Sequence, residues 1–232
     1  MKTDRIIGSV LGLALGDAFG APYEGGVLER AAWALIGKRK GRRRWTDDTQ
    51  MTIDVIESLV ACGDVDQDDL ARRFARSYRW SRGYGPGAAK VLKRIRRGLH
   101  WEAASSSVYR DGSFGNGGAM RAPAVGLFFS ADDEEELVEA ASASAAPQEV
   151  AAELGNGIAA IESCVTAVYM ALAFRNGSFD ELLGSAIKLG GDVDTVASMA
   201  CAIWGAVRGL DALPQTRLEQ LEESDRLHAL AR

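Results

Sequence analysis

The chain reads as an all-α protein on three observations. Apolar residues recur at steps of three and four along most of its length, and no useful run alternates with the period of two that a half-buried strand requires. Clusters of Asp and Thr also stand where two of those apolar patterns begin, as they do at helix N-termini. With 232 residues, 47% of them hydrophobic and 25% charged, the composition is that of one globular domain, 1–232, with a proper core and no internal repeat.

Residues 5–20 place Gly8, Gly12, Gly16 and Gly20 four apart, on one stripe of a helix. Each glycine costs up to about 1 kcal/mol relative to alanine in a helix interior. A stripe of four is therefore best explained by a second helix approaching backbone to backbone. Asp17 falls beside the stripe. Lys2 and Arg5 ahead of Ile6–Leu15 imitate a signal peptide, but Asp17 interrupts the run, so the segment is read as a buried core helix and no stretch as a bilayer span. Pro22 lacks a backbone donor and ends the helix, which leaves Glu24 on an exit loop. Weak structure is expected from there to Arg44.

A helix from Asp47 to about Ala61 carries the apolar pattern Met51, Val55, Ile56, Leu59 and Val60. After a turn at Gly63–Asp66, residues 67–79 carry Leu70, Phe74 and Tyr78 on one face. Gly83–Gly87 is a loop, and residues 88–98 form a basic helix with Val91, Leu92 and Ile95 inward. The glycine-dense Gly112–Gly118 precedes a helical segment at Ala119–Phe129. Asp132-Asp133-Glu134-Glu135-Glu136 suits a helix start. A long helix is expected from Val150 through Leu154, Ile158, Ile161, Val165 and Val168 to Leu172. Shorter helices follow at Phe179–Lys188 and Val196–Arg208, and an amphipathic closing helix at 214–231.

The net charge of −5 hides an asymmetry: residues 38–97 carry sixteen Lys/Arg against eight Asp/Glu, and residues 131–232 carry six against eighteen. The run Lys38-Arg39-Lys40-Gly41-Arg42-Arg43-Arg44 could attract a polyanion. No aromatic residues interleave with it, so it is read as a solvated loop and not a nucleic-acid surface. Cys62, Cys164 and Cys201 form an odd, unclustered set and read as buried free thiols, which sets the expected compartment as the cytoplasm. His100 and His228 are isolated, which argues against a histidine zinc site or a Ser-His-Asp triad.

The chemistry concentrates at Thr46-Asp47-Asp48-Thr49 and at Gly190-Gly191-Asp192-Val193-Asp194-Thr195, each opening an apolar helix. Two adjacent carboxylates 4 Å apart repel by roughly 4 kcal/mol in a protein-like dielectric. A single acidic cluster could be an ordinary N-cap, but two of them favour a shared cation, and oxygen ligands suit Mg²⁺, Mn²⁺ or Ca²⁺ over zinc. Gly115-Asn116-Gly117-Gly118-Ala119-Met120-Arg121 fails the dinucleotide fingerprint, because Met120 holds the third glycine position and no strand precedes it. It remains a loop whose bare N–H groups can approach an anionic or sugar ligand.

Taken together, Gly12–Asp17 with Gly20–Glu24, Thr46–Thr49, Gly115–Arg121 and Gly190–Thr195 resemble the ADP-ribosylglycohydrolase family, in its motif order and over most of the chain. The resemblance implies an orthogonal helical bundle and a centre of two Mg²⁺ or Mn²⁺ ions. Its ligands would be Thr46, Asp47, Asp48, Asp192, Asp194 and Thr195, with Glu24 completing or gating the centre. Phe114, Gly115, Asn116, Gly117, Gly118 and Arg121 would contact ADP-ribose. Glu24, Asp47 and Asp48 are the candidates for acid–base work on a bound water. The expected partner is an ADP-ribosylated protein or a small ADP-ribose conjugate, with ADP-ribosylated nucleic acid left open and no membrane involved. Two alternatives stand beside this reading: a Mg²⁺-dependent hydrolase of another nucleotide-type substrate, and a non-catalytic ADP-ribose-binding or structural member, since the family includes a lens crystallin. The chain departs from the family pattern at Ser142-Ala143-Ser144-Ala145-Ala146-Pro147, where a Thr-His pair is common; that bears on the adenosine side and the leaving group.

Overall fold

The computed structural model describes residues 2–110, 112–129 and 155–232, and the expectations at Asp132–Glu136, Ser142–Pro147 and the Val150–Leu154 start of the long helix lie outside them. Twelve α-helices account for most of the described residues: α1 (Lys2–Gly20), α2 (Val27–Ile36), α3 (Asp47–Cys62), α4 (Gln67–Ser77), α5 (Pro86–Arg96), α6 (Trp101–Ser106), α7 (Ala122–Phe129), α8 (Ala160–Ala173), α9 (Phe179–Leu189), α10 (Val193–Arg208), α11 (Gln215–Gln220) and α12 (Ser224–Leu230). The sole named sheet among them is a two-residue hairpin, β1 (Lys38–Arg39) and β2 (Arg42–Arg43), with Lys38 opposite Arg43.

The glycine stripe does what its spacing requires. α1 runs antiparallel to α10 with backbones in contact. A Cβ placed on Gly8 would lie 2.4 Å from the Gly205 carbonyl oxygen, on Gly12 2.4 Å from that of Cys201, and on Gly16 2.3 Å from that of Ala197. At the near end, Gly20 abuts the Asp194 Cα at 2.9 Å. Backbone cannot yield to a methyl group, so only glycine fits along this seam. Around the pair, α3, α8 and α9 add Ile53, Met170, Leu182 and Leu183 to the main core. By length and apolarity Thr3–Tyr23 would pass for a membrane span, but 83% of its apolar window is buried within the fold, as a core helix requires.

Four expectations need correction. The segment read as weakly structured contains α2 and the hairpin. α2 escaped the apolar pattern because Val27, Leu28 and Leu35 point outward and only Trp33 is buried. The long helix begins, within the described residues, only at Ala160: Gly155 adopts φ 83°, and residues 155–159 leave the helix to pair Ala159 with Gly115. The apolar residues that set its period do not form its buried face. Ile161, Val165 and Val168 are exposed, and the small residues Ser163, Thr166, Ala167 and Ala171 face the core. The closing helix is two helices, because Glu222 leaves helical pairing to donate its N–H to the Arg43 carbonyl (2.9 Å) and Glu223 turns the chain at φ 52°. Finally, of the three free cysteines only Cys201 is fully buried, while Cys62 is exposed.

Candidate functional site

Each acidic cluster is presented by the start of a helix. Thr46 caps α3, its hydroxyl accepting from the Asp48 N–H at 3.3 Å, so Asp47 and Asp48 occupy the first turn. The α3 start is fastened to α1 by Asp17, which is fully buried. Its carboxylate accepts the Thr46 N–H (2.8 and 2.9 Å), the Thr49 N–H (3.1 Å) and the Thr49 hydroxyl (2.5 Å). At the other cluster, Gly190 and Gly191 take φ 69° and 73°, and a Cβ on Gly191 would fall 2.2 Å from the Asn156 carbonyl oxygen. That oxygen accepts the Asp192 N–H at 2.9 Å and sets the residue at the head of α10. Asp194 accepts the Thr195 N–H at 2.9 Å.

Because α1 and α10 meet at Gly20 and Asp194, the exit loop of α1 delivers Glu24 to the same place. Carboxylate oxygens of Glu24, Asp192 and Asp194 lie within 4.8 Å of one another. Asp192 in turn acts electrostatically on Asp47 and Asp48, which closes the group.

The charges are poorly compensated by the protein itself. Burial raises the Asp47 carboxyl to about 7, reinforced by Asp17, Glu24 and Asp192. Burial also lifts Asp48 and Asp194 well above the usual carboxylate range, with neighbouring carboxylates adding to it, and pushes Glu24 upward. Asp48 Oδ2 is buried with no hydrogen-bond partner among the described residues. An orphaned buried acceptor costs about 1–3 kcal/mol, more when charged. An all-oxygen donor set that is rich in negative charge and holds one unpartnered oxygen fits a hard divalent cation.

The glycine loop lies against this group. Asn116 is buried and donates from Nδ2 to Asp192 Oδ2 at 2.7 Å and to the Ser163 hydroxyl at 3.2 Å, so it positions a carboxylate. The loop is pinned by Asn116 N–H to the Ile158 carbonyl (3.0 Å) and Ala160 N–H to the Phe114 carbonyl (2.9 Å). The fold itself has no need of glycine at the next two positions. Among the described residues a Cβ on Gly118 meets nothing within 4 Å, one on Gly117 meets only Arg121 Nη1 at 3.7 Å, and neither backbone is left-handed. The room left where a side chain would stand lets a ligand approach this backbone closely. Phe114 is exposed beside them. Arg121 lies between this loop and the acids: its guanidinium sits 5.0 Å over the Phe74 ring and 3.6 Å from Met51 Sδ, with Asp47 and Asp48 acting on its charge.

Sequence reasoning missed three side chains that build this site. Asp17 had a visible signal, a carboxylate on an otherwise apolar helix. Arg82 and Glu222, which meet behind Trp45, had none.

These features define a predominantly helical protein with a largely buried carboxylate cluster, able to hold a cation, beside an open glycine loop. The chain belongs to the ADP-ribosylglycohydrolase family, whose model matches residues 1–148 and 143–232. It is 28% identical over a 332-residue alignment to the zebrafish (Danio rerio) ADP-ribosylhydrolase ARH3, covering 98% of this chain and 90% of that one. To the ADP-ribosyl-(dinitrogen reductase) glycohydrolase of Rhodospirillum rubrum it is 27% identical, covering 94% and 90%. A solved structure, an ADP-ribosylglycohydrolase-related protein complex, superposes with a TM-score of 0.64 at 25% identity, over 99% of this chain and 96% of that one. Family membership supports hydrolysis of an ADP-ribose linkage.

Proposed function

We propose that the protein is a divalent-cation-dependent hydrolase that cleaves the glycosidic bond joining ADP-ribose to a protein side chain or small acceptor. One observation carries this reading most directly: Glu24, Asp192 and Asp194 converge within 4.8 Å, next to a buried Asp48 oxygen that accepts no hydrogen bond from the described residues. Thr46, Asp47, Asp48, Asp192, Asp194 and Thr195 would hold two Mg²⁺ or Mn²⁺ ions, with Glu24 completing the set. Such ions polarise oxygen ligands and make a bound water more acidic.

The chain's own residues supply the rest. The Asp pairs are fixed at helix starts and orient the ribose end of the substrate. Glu24 is carried on a loop behind Pro22 and takes the proton of the attacking water as the anomeric carbon passes through an oxocarbenium-like state. The N–H groups of Gly117 and Gly118 receive the anionic part of the ligand. The same reading sets the protein in the cytoplasm, on its three free thiols.

The test is release of ADP-ribose from substrates modified on arginine, on serine and as poly(ADP-ribose), each assayed with Mg²⁺ and with EDTA. Turnover of at least one substrate is expected with Mg²⁺ only. Asp48→Ala should abolish that turnover while the helical circular dichroism persists. Full activity in excess chelator would overturn the cation-dependent reading.

A further inference from the structure

The three backbone groups just ahead of Asp47 belong to neither a helix nor a strand ladder, and each is held by a charged side chain from a different part of the fold. The Trp45 N–H donates to Glu222 Oε1 at 3.1 Å, and the Trp45 carbonyl accepts from Arg82 Nη1. The Thr46 N–H goes to Asp17. Arg82 and Glu222 also form a buried ion pair with each other, about 6% and 5% exposed. The Arg82 guanidinium lies 3.4 Å over the Trp45 ring, itself buried. Glu222 is fixed in turn by its N–H bond to Arg43.

Burying two charges costs desolvation free energy that an apolar pair of similar volume avoids. An ion pair that spends its hydrogen bonds on the backbone of one residue is therefore better suited to fixing that residue than to stabilising the core. We infer that Arg82 and Glu222 are positioning residues for the cation site: they clamp Trp45 from behind so that Thr46, Asp47 and Asp48 are presented at a fixed spacing from Asp192 and Asp194. Neither side chain touches the reacting atoms. The inference rests on the cation-dependent reading above. It also gives the C-terminal segment a role, because Glu222 is the residue through which the connection between α11 and α12 reaches the site.

The experiment uses the full chain, with Mn²⁺ as the probe. Glu222→Gln keeps the shape and the acceptor and removes the charge. Arg82→Met combined with Glu222→Gln removes both charges and leaves no isolated buried ion. Mn²⁺ binding is followed by calorimetry, and amide exchange by NMR in the absence of metal. The dissociation constant for Mn²⁺ should rise about fivefold in Glu222→Gln and at least tenfold in the double variant. The Thr46 and Asp48 amides should lose protection while those of α10 keep theirs. If the double variant does not fold, Glu222→Gln decides alone, and if neither folds the pair determines the fold and the inference is wrong. Unchanged Mn²⁺ affinity with unchanged Thr46 and Asp48 protection overturns it too. Absence of Mn²⁺ binding in the unmodified protein would instead sink the cation reading, and the exchange data would still decide whether the clamp exists.

Discussion

Asn116 shows how one side chain can change its meaning between sequence and structure. Between glycines, it reads as a ligand contact; in the fold its amide is spent on Asp192 and Ser163. A side chain that orients a ligating carboxylate typically contributes ten- to a hundredfold in metal affinity or activity. Asn116→Ala should therefore weaken Mn²⁺ binding by about tenfold or more, measured by calorimetry, with ADP-ribose affinity in saturating metal little changed. The opposite pattern would return Asn116 to direct substrate contact. The acids themselves, at Asp47, Asp48, Asp192 and Asp194, were legible as residues because carboxylates at helix starts are a local signal. Their supporting shell was not. Glu222 lies far along the chain from Trp45, and no spacing rule connects an isolated glutamate to a backbone amide it meets only after folding.

Among the elements, Gly8, Gly12, Gly16 and Gly20 call for a close helical neighbour, and the structure supplies it as α10, which adds Gly205 to the same seam. The prediction has two arms of opposite sign. Gly12→Ala gains helix propensity of about 1 kcal/mol, yet its Cβ would sit 2.4 Å from the Cys201 carbonyl oxygen. Overpacking of this kind costs about 1–3 kcal/mol or more, so the variant should melt lower than the unmodified protein. Gly184, inside α9, has nothing within 4 Å of an added Cβ and an ordinary backbone. Gly184→Ala should gain about 0.4–1 kcal/mol and melt higher. Equal melting temperatures for both variants would remove the close-approach explanation. Where the apolar pattern misleads about burial, at α2 and on α8, the cause is the same. Apolar residues stand on the outer face: Val27, Leu28 and Leu35 on one helix and Ile161 on the other are exposed. Periodicity reports that a helix has a distinct face, and packing decides which face is buried.

For the molecule as a whole, the gathered carboxylates set how stability should respond to pH. Burial raises Asp17 and Asp54 to about 6 and Asp47 to about 7, against about 4 in an unfolded chain. From about pH 4 to 7 the folded state therefore binds more protons than the unfolded state, and stability falls as pH rises. The contribution of these groups is fully present below their unfolded values and is lost as pH climbs through 6 and 7. Asp69, held low by its Arg73 partner, and Glu181, held low by the backbone N–H and hydroxyl of Ser178, act in the opposite sense. Their effect is confined to pH values below the ordinary carboxylate range, so a comparison between about pH 5 and 8 isolates the buried group. In chelator, the protein should melt higher at pH 5 than at pH 8. On the cation-dependent reading divalent ions should oppose this preference, because they would bind the ionised carboxylates and so bind more tightly as pH rises. The increase in melting temperature on adding excess Mn²⁺ should be larger at pH 8 than at pH 5, by mass action on the folded state. Asp54 faces Ser77 and is not among the proposed ligands. Asp54→Asn should accordingly flatten the chelator profile while leaving the Mn²⁺ increment at pH 8 in place. A metal-free protein that became steadily more stable from pH 5 to pH 8 would show that the cluster is neutralised by something other than protons or metal.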